Sequence, residues 1–263
     1  MRLTDPGLAL IEVDEDSAAY EKGHIPGAIG LNWRTDLHAV PRRDFVSAQE
    51  LATLLGARGV GADQTIVLYG GNSNWFAAYA FWLFRLRGVR NLKLLNGGRI
   101  AWEMQGRPMT TEIRPRKPTT FVAGEPEPRV RVLRDVVLAG PGATLVDVRS
   151  PAEFAGELLA PAHLPQEQSQ VPGHIPGAVN IPWSKAANED GTFKPADDLH
   201  TLYEGAGVLS DSQVVTYCRI GERSAFTWFV LTELLGYPNV RNYDGSWTEY
   251  GSLVGVPVEL GAS

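Results

Sequence analysis

Short apolar runs alternate with amphipathic stretches along the whole chain, and the spacing sets the expected elements. In the C-terminal half, Ala143 to Val148 reads as a strand and Ala196 to Gly205 as a helix. Gln213 to Tyr217 reads as a second strand, followed by a strongly apolar helix from Ala225 to Leu235. Gly236 just beyond that helix and Pro238 soon after form a stop signal, because neither continues a helix. Strands alternating with helices imply α/β units around a largely parallel sheet. In open sheets of that kind, ligands sit at the carboxyl ends of the strands.

The pattern occurs twice. Gly-His-Ile-Pro-Gly-Ala is found at Gly23 to Ala28 and again at Gly173 to Ala178, and Trp33 and Trp183 keep the same spacing. Further along, Val67 and Tyr69 match Val215 and Tyr217. Gly88, Asn91 and Gly97 match Gly236, Asn239 and Gly245. This is an internal duplication. The copies are joined by a stretch with Pro115, Pro118, Pro126 and Pro128, too rich in proline for a helix or a central strand. The expected organisation is a first domain over 1–112, an extended linker over 113–128 and a second domain over 129–263. The second copy carries an extra piece, Gly156 to Val171, which reads as a surface loop.

Composition narrows the function classes. The chain has 263 residues, 44% hydrophobic and 21% charged, which suits soluble globular domains. A formal net charge of -6 gives no electrostatic reason to expect a nucleic-acid partner. No run approaches a membrane span, and Met1 to Glu15 lacks the marks of a signal peptide, so the expected compartment is the cytoplasm. The single cysteine, Cys218, excludes an intramolecular disulfide and a thiolate metal cluster.

Cys218 follows the strand Gln213 to Tyr217 directly and opens the loop Cys218-Arg219-Ile220-Gly221-Glu222-Arg223, with a helix expected from about Ser224. Backbone N–H groups at a helix start attract negative charge, and Gly221 permits a sharp turn. With Arg219 and Arg223 beside it, the thiol is expected to ionise well below its ordinary range and to meet a small oxyanion in the same pocket. At the matching place in the first copy stands Gly70, in a loop with no thiol and no arginine. The first copy is therefore expected to be a structural partner that shapes one side of the cleft.

These residues resemble the tandem-domain rhodanese family, the thiosulfate:cyanide sulfurtransferases. The resemblance rests on Gly-His-Ile-Pro-Gly-Ala in each copy, Asp147-Val148-Arg149-Ser150, Cys218 to Arg223, and Tyr243-Asp244-Gly245-Ser246-Trp247. It implies two rhodanese-like domains, an inactive first and a catalytic second, each an open parallel sheet flanked by helices. It implies a persulfide on Cys218, a donor anion held by Arg149, Arg219 and Arg223, and supporting roles for Asp147 and for the loop residues Ile220, Gly221 and Glu222. Ile220 departs from members that carry lysine there, with Arg223 as the replacement charge. The two loop arginines favour thiosulfate over 3-mercaptopyruvate. No metal or organic cofactor is implied. The partners are a small sulfur donor and a thiophilic acceptor, or a protein thiol if the chain is a sulfur carrier. A cysteine phosphatase is the rival on a related fold, but its Cys-x5-Arg loop is one residue longer than the spacing from Cys218 to Arg223. His24 and His174 are expected to be structural, since one of them lies in the copy without a thiol.

Overall fold

The computed structural model describes residues 5–41, 43–140, 142–161 and 167–261. It divides into two units, Met1–Pro128 with Glu189–Phe193, and Arg129–Asn188 with Lys194–Ser263. In the first, β1 (Leu8–Val13), β2 (Ile29–Leu31), β3 (Thr65–Tyr69) and β4 (Leu92–Leu94) form a parallel sheet in the order β2-β1-β3-β4. In the second, β5 (Thr144–Asp147), β6 (Val179–Asn180), β7 (Val214–Tyr217) and β8 (Val240–Tyr243) repeat it as β6-β5-β7-β8. Both are α/β units, each a four-stranded parallel sheet with flanking helices. Every residue of β7 is buried, as expected for a strand covered on both faces. The order reverses between β5 and β7, so a crevice opens at their carboxyl ends, where Arg149 and Cys218 follow.

The repeated hexapeptide has a structural job in both units. Ala28 N donates to Ile25 O and Ala178 N to Ile175 O, closing a turn with proline second and glycine third. Gly27 (φ 83°) and Gly177 (φ 74°) take the left-handed conformation that this turn needs. Ile25 N and Ile175 N each donate to a tyrosine hydroxyl, Tyr69 and Tyr217, at 3.0 and 3.1 Å. The histidines match as well. His24 Nδ1 lies 2.8 Å from Tyr20 O and His174 Nδ1 2.8 Å from Phe154 O, each ring stacked on that same aromatic residue. The same Nδ1 bond and ring stacking with and without a thiol nearby make these histidines part of the frame, as the duplication implied.

A buried ion pair is duplicated with its partners exchanged. Asp147, opposite Tyr217 in the β5–β7 register, takes Arg149 Nε at 3.0 and 3.1 Å and Nη2 at 2.5 Å; Arg149 Nη2 also donates to Gly173 O at 2.7 Å. In the first unit Glu12 is opposite Tyr69 and is paired with Arg99, which comes from the helix Gly98–Met104 instead of the strand end. Arg99 Nη1 donates to Gly23 O at 2.6 Å, the counterpart of Gly173. The guanidinium thus sits between the strand-end acid and the same glycine carbonyl in both copies.

One helix boundary differs from the sequence reading, and two connecting segments are held more closely than it expected. The apolar helix starts at Glu222 and runs to Phe229, then continues as a π-helical turn over Val230–Leu234. Glu222 and Arg223 therefore belong to its first turn, because Gly221 (φ 98°) ends the loop. The proline-rich stretch is extended but laid along the first unit, with Thr119 N on Gly56 O and Gly124 N on Gly88 O. Of the extra piece, 162–166 lie outside the described residues, and its end is not a free surface loop. Gln170 N and Val171 N donate to Gly251 O, and Trp247 Nε1 to Val171 O.

Asp147 and Arg149 are both at most 1% exposed, so removing one leaves the other charge buried without its partner. Asp147→Ala is expected to cost about 3–5 kcal/mol, read as a lower midpoint in denaturant unfolding; a midpoint equal to wild type would show the pair to be dispensable.

Candidate functional site

Cys218 leaves β7 fully buried, and its loop is held from outside by the turn after β8. Cys218 N donates to Ser246 Oγ at 3.0 Å, and Ser246 Oγ donates to Tyr243 O at 2.7 Å. Cys218 O accepts from Trp247 N and Arg219 O from Thr248 N, both at 3.0 Å. Gly221 O accepts from Asn242 Nδ2 at 3.0 Å, and Asn242 Oδ1 from Ser224 Oγ at 2.6 Å. With these carbonyls turned outward, the Gly221 N–H points at the sulfur, 3.2 Å away. An inward backbone donor of this kind stabilises a sulfur anion. A side chain at Gly221 would meet Asp244 Cα at 2.6 Å in addition to straining a positive φ, so only glycine fits.

Each predicted site residue has a definite place. Arg223 spends its fork on Glu153, Nη1 to Oε2 at 2.9 Å and Nη2 to Oε1 at 3.0 Å, with both side chains buried. Burial raises the Glu153 pKa, but the Arg223 bonds and charge and the Ser150 bonds outweigh it and hold the carboxyl below its ordinary value. Arg149 is taken by Asp147, so Asp147 does hold an arginine, and that guanidinium lies 4.9 Å from the Trp247 ring centroid. Arg219 is buried, donates through Nε to Glu167 O at 2.9 Å, and feels the charges of Glu222, Arg223 and Cys218. Ile220 is 8% exposed. The site therefore brings Cys218, Arg219, Glu222 and Arg223 together, but two of the three arginines are bound to carboxylates of the chain itself.

One expectation is corrected. The thiol pKa is raised, not lowered: burial pushes it up most, the Glu222 carboxyl adds to this, and Arg223 with Ser224 pulls back without winning. Arg223 is partly neutralised by Glu153, and Glu222 stands 3.5 Å from the sulfur. Glu153 and Asn242 are the site residues that the sequence reading missed; Ser246 stands in the Tyr243 to Trp247 motif, which reads as a turn, and the structure gives it the bond to Cys218 N. Glu153 had a visible signal, because Ser150-Pro151-Ala152-Glu153 is a capping box at the start of the helix Pro151–Ala155. Asn242 had none.

The first unit's loop is filled. Asn74, matching Glu222, accepts from Gly70 N at 2.9 Å and donates to Leu95 O at 2.7 Å. Gly71 N donates to Asp14 Oδ2 at 2.6 Å, so a carboxylate of the chain occupies the loop's donor. A Cβ at Gly70 would collide with the Val13 carbonyl oxygen, which leaves no room for a cysteine. A cavity of about 450 Å³ in this unit, bordered by Tyr20, Arg58 and Arg116, includes no residue of the Cys218 loop. Among the described residues no group of histidine, cysteine and acid side chains is arranged to hold a metal, and no helix is long and apolar enough to cross a membrane.

A buried cysteine with inward N–H groups at the switch point of a parallel sheet, on a duplicated frame, defines a rhodanese-type site. The comparisons agree: the rhodanese-like domain matches residues 2–105 and 135–253, and the chain belongs to that family of sulfurtransferases. It is 59% identical over 261 residues to a protein of Mycolicibacterium smegmatis named "Putative thiosulfate sulfurtransferase", covering 99% of this chain and 94% of that one. It is 50% identical over 266 residues to "Sulfur carrier protein TtuD" of Thermus thermophilus, covering 98% and 93%. Among solved structures, EanB in complex with ergothioneine aligns with a TM-score of 0.83 at 25% identity, covering 97% of this chain and 65% of that chain.

Burial and the Glu222 carboxyl raise the thiol pKa, which disfavours the thiolate at neutral pH. Alkylation of Cys218 by iodoacetamide at pH 7 is expected to be slower in the native protein than in the unfolded chain. A native rate faster than the unfolded one, followed by mass spectrometry, would show a depressed pKa instead.

Proposed function

We propose that the protein is a thiosulfate sulfurtransferase that works through a persulfide on Cys218. The observation that carries this is the Cys218 sulfur beneath the Gly221 N–H in a loop whose carbonyls are tied outward. The Cys218 thiolate attacks the sulfane sulfur of thiosulfate; a new S–S bond forms, the donor's S–S bond breaks, and sulfite leaves with the electron pair. Cyanide or a thiol then takes the outer sulfur, and the cysteine returns as thiolate. The loop N–H groups hold the anionic sulfur in both states.

Arg219 is assigned to the donor's anionic end, because it is the loop arginine set directly after the nucleophile. Arg149 and Arg223 are assigned to framing, since their forks already hold Asp147 and Glu153. The first unit is assigned no chemistry, given the filled loop at Gly70. A protein acceptor is the second reading, favoured by the 50% identity to a protein named as a sulfur carrier.

Thiocyanate formation from cyanide, with thiosulfate and 3-mercaptopyruvate compared as donors, tests the assignment. Thiosulfate is expected to be the better donor, Cys218→Ser to abolish turnover, and Arg219→Ala to raise KM for thiosulfate by roughly tenfold, the worth of one charge-assisted contact. Preference for mercaptopyruvate would overturn the role of Arg219 and keep the nucleophile. Transfer to a protein thiol alone would favour the carrier.

A further inference from the structure

Buried carboxylates surround the Cys218 loop, Asp147, Glu153, Glu222 and Asp244, and they differ in what neutralises them. Asp147 and Glu153 each hold an arginine through two or more hydrogen bonds. Glu222 does not. Its Oε2 takes the Cys218 thiol at 3.5 Å, its Oε1 is buried without a hydrogen-bond partner, and Arg223 Nε comes no nearer than 3.9 Å. A buried carboxylate without a bonded cation is costly to keep charged and is readily relieved by a proton. The first unit serves as a control: where the thiol is replaced by Gly70, the acid is replaced by Asn74, an amide that cannot titrate. Acid and thiol occur together and are absent together.

We propose that Glu222 is the proton partner of Cys218, exchanging one proton with the sulfur through each cycle so that the buried pair carries a single negative charge. This rests on the sulfur-transfer reading of the site. As the thiol becomes thiolate, its proton moves from Sγ to Glu222 Oε2. The thiolate takes the sulfane sulfur, sulfite departs with the bonding pair, and the protonated carboxyl stays beside the persulfide anion. When the acceptor removes the outer sulfur, the proton returns from Glu222 to the thiolate. No proton is gained or lost over the cycle.

Other charges face this pair from each side. Arg223 lies on the same helix and is tied to Glu153; Arg219 lies in the loop; Asp244, at the end of β8, is bonded to Arg131 at 2.7 and 3.0 Å. Burial raises the Glu222 carboxyl above its ordinary value, and Arg223 and Arg219 oppose this only in part.

The test is the pH dependence of Cys218 alkylation by iodoacetamide in wild type, Glu222→Gln and Glu222→Asp, with folding checked by thermal unfolding. Two groups sharing a proton titrate as a pair. Wild type is expected to gain reactivity in two steps, Glu222→Gln in one step displaced to lower pH with a rate at pH 7 raised severalfold, and Glu222→Asp again in two. If Glu222→Gln keeps the wild-type profile, or if wild type itself shows one step, the proposal is overturned. Should the glutamine variant not fold, a single step in Glu222→Asp overturns it and two steps support it. In turnover with thiosulfate, wild type should lose kcat/KM on the alkaline side as the pair gains a second charge, and Glu222→Gln should not. The alkylation arm uses no sulfur donor, so it can succeed even if thiosulfate proves to be the wrong substrate.

Discussion

Charge buried in a protein must meet opposite charge or give it up, and the second unit is organised by that requirement. Arg149 and Arg223 are placed in the interior around β5 and β7, where neither could remain without Asp147 and Glu153. These pairs tie elements that are otherwise far apart in the chain. Arg149 links the end of β5 to the Gly173 turn, and Arg223 links the helix after Cys218 to the cap of the helix Pro151–Ala155. The nucleophile's loop is then closed from the remaining side by Asn242 and Ser246. Rigidity around the sulfur comes from this frame, and the backbone donors inside it need no further movement to receive an anion.

The duplication separates frame from chemistry within one molecule. Both copies keep the turn of the repeated hexapeptide, the tyrosine hydroxyl on its backbone, the stacked histidine and a guanidinium on the glycine carbonyl. That guanidinium arrives from a strand end in one copy and from a helix in the other, so its position is what the fold needs and its origin in the sequence is not. The first copy has lost the thiol, the acid beside it and every loop arginine. Its loop N–H at Gly71 has found Asp14, which shows that such a loop draws a carboxylate when no sulfur is present.

Much of this was legible in the sequence. The repeated hexapeptide gave the two units, the alternation of strand and helix gave the sheets, and the crowding of Arg219, Gly221 and Arg223 around the only cysteine located the site. What could not be read was pairing at a distance. Glu153 stands 70 residues before Arg223, and nothing local to either reveals that they meet. Without that contact the arginines counted as free positive charge; the full burial of the thiol and the Glu222 carboxyl beside it, which raise its pKa, were equally out of reach of the local pattern. The start of the helix was misplaced for a related reason. Gly221 reads as a loop residue, yet its left-handed conformation also lets the helix begin at once, which carries Glu222 into the first turn and under the sulfur.

The closure at Gly70 bears on history. Because the Val13 carbonyl occupies the space of any side chain there, a single codon change back to cysteine would yield a clash before it yielded a nucleophile. Recovery would also require Asn74 and Asp14 to withdraw from the loop donors, and neither step is useful alone. The Gly70 loop is thus closed to a thiol by three contacts at once, the Val13 carbonyl, Asn74 and Asp14.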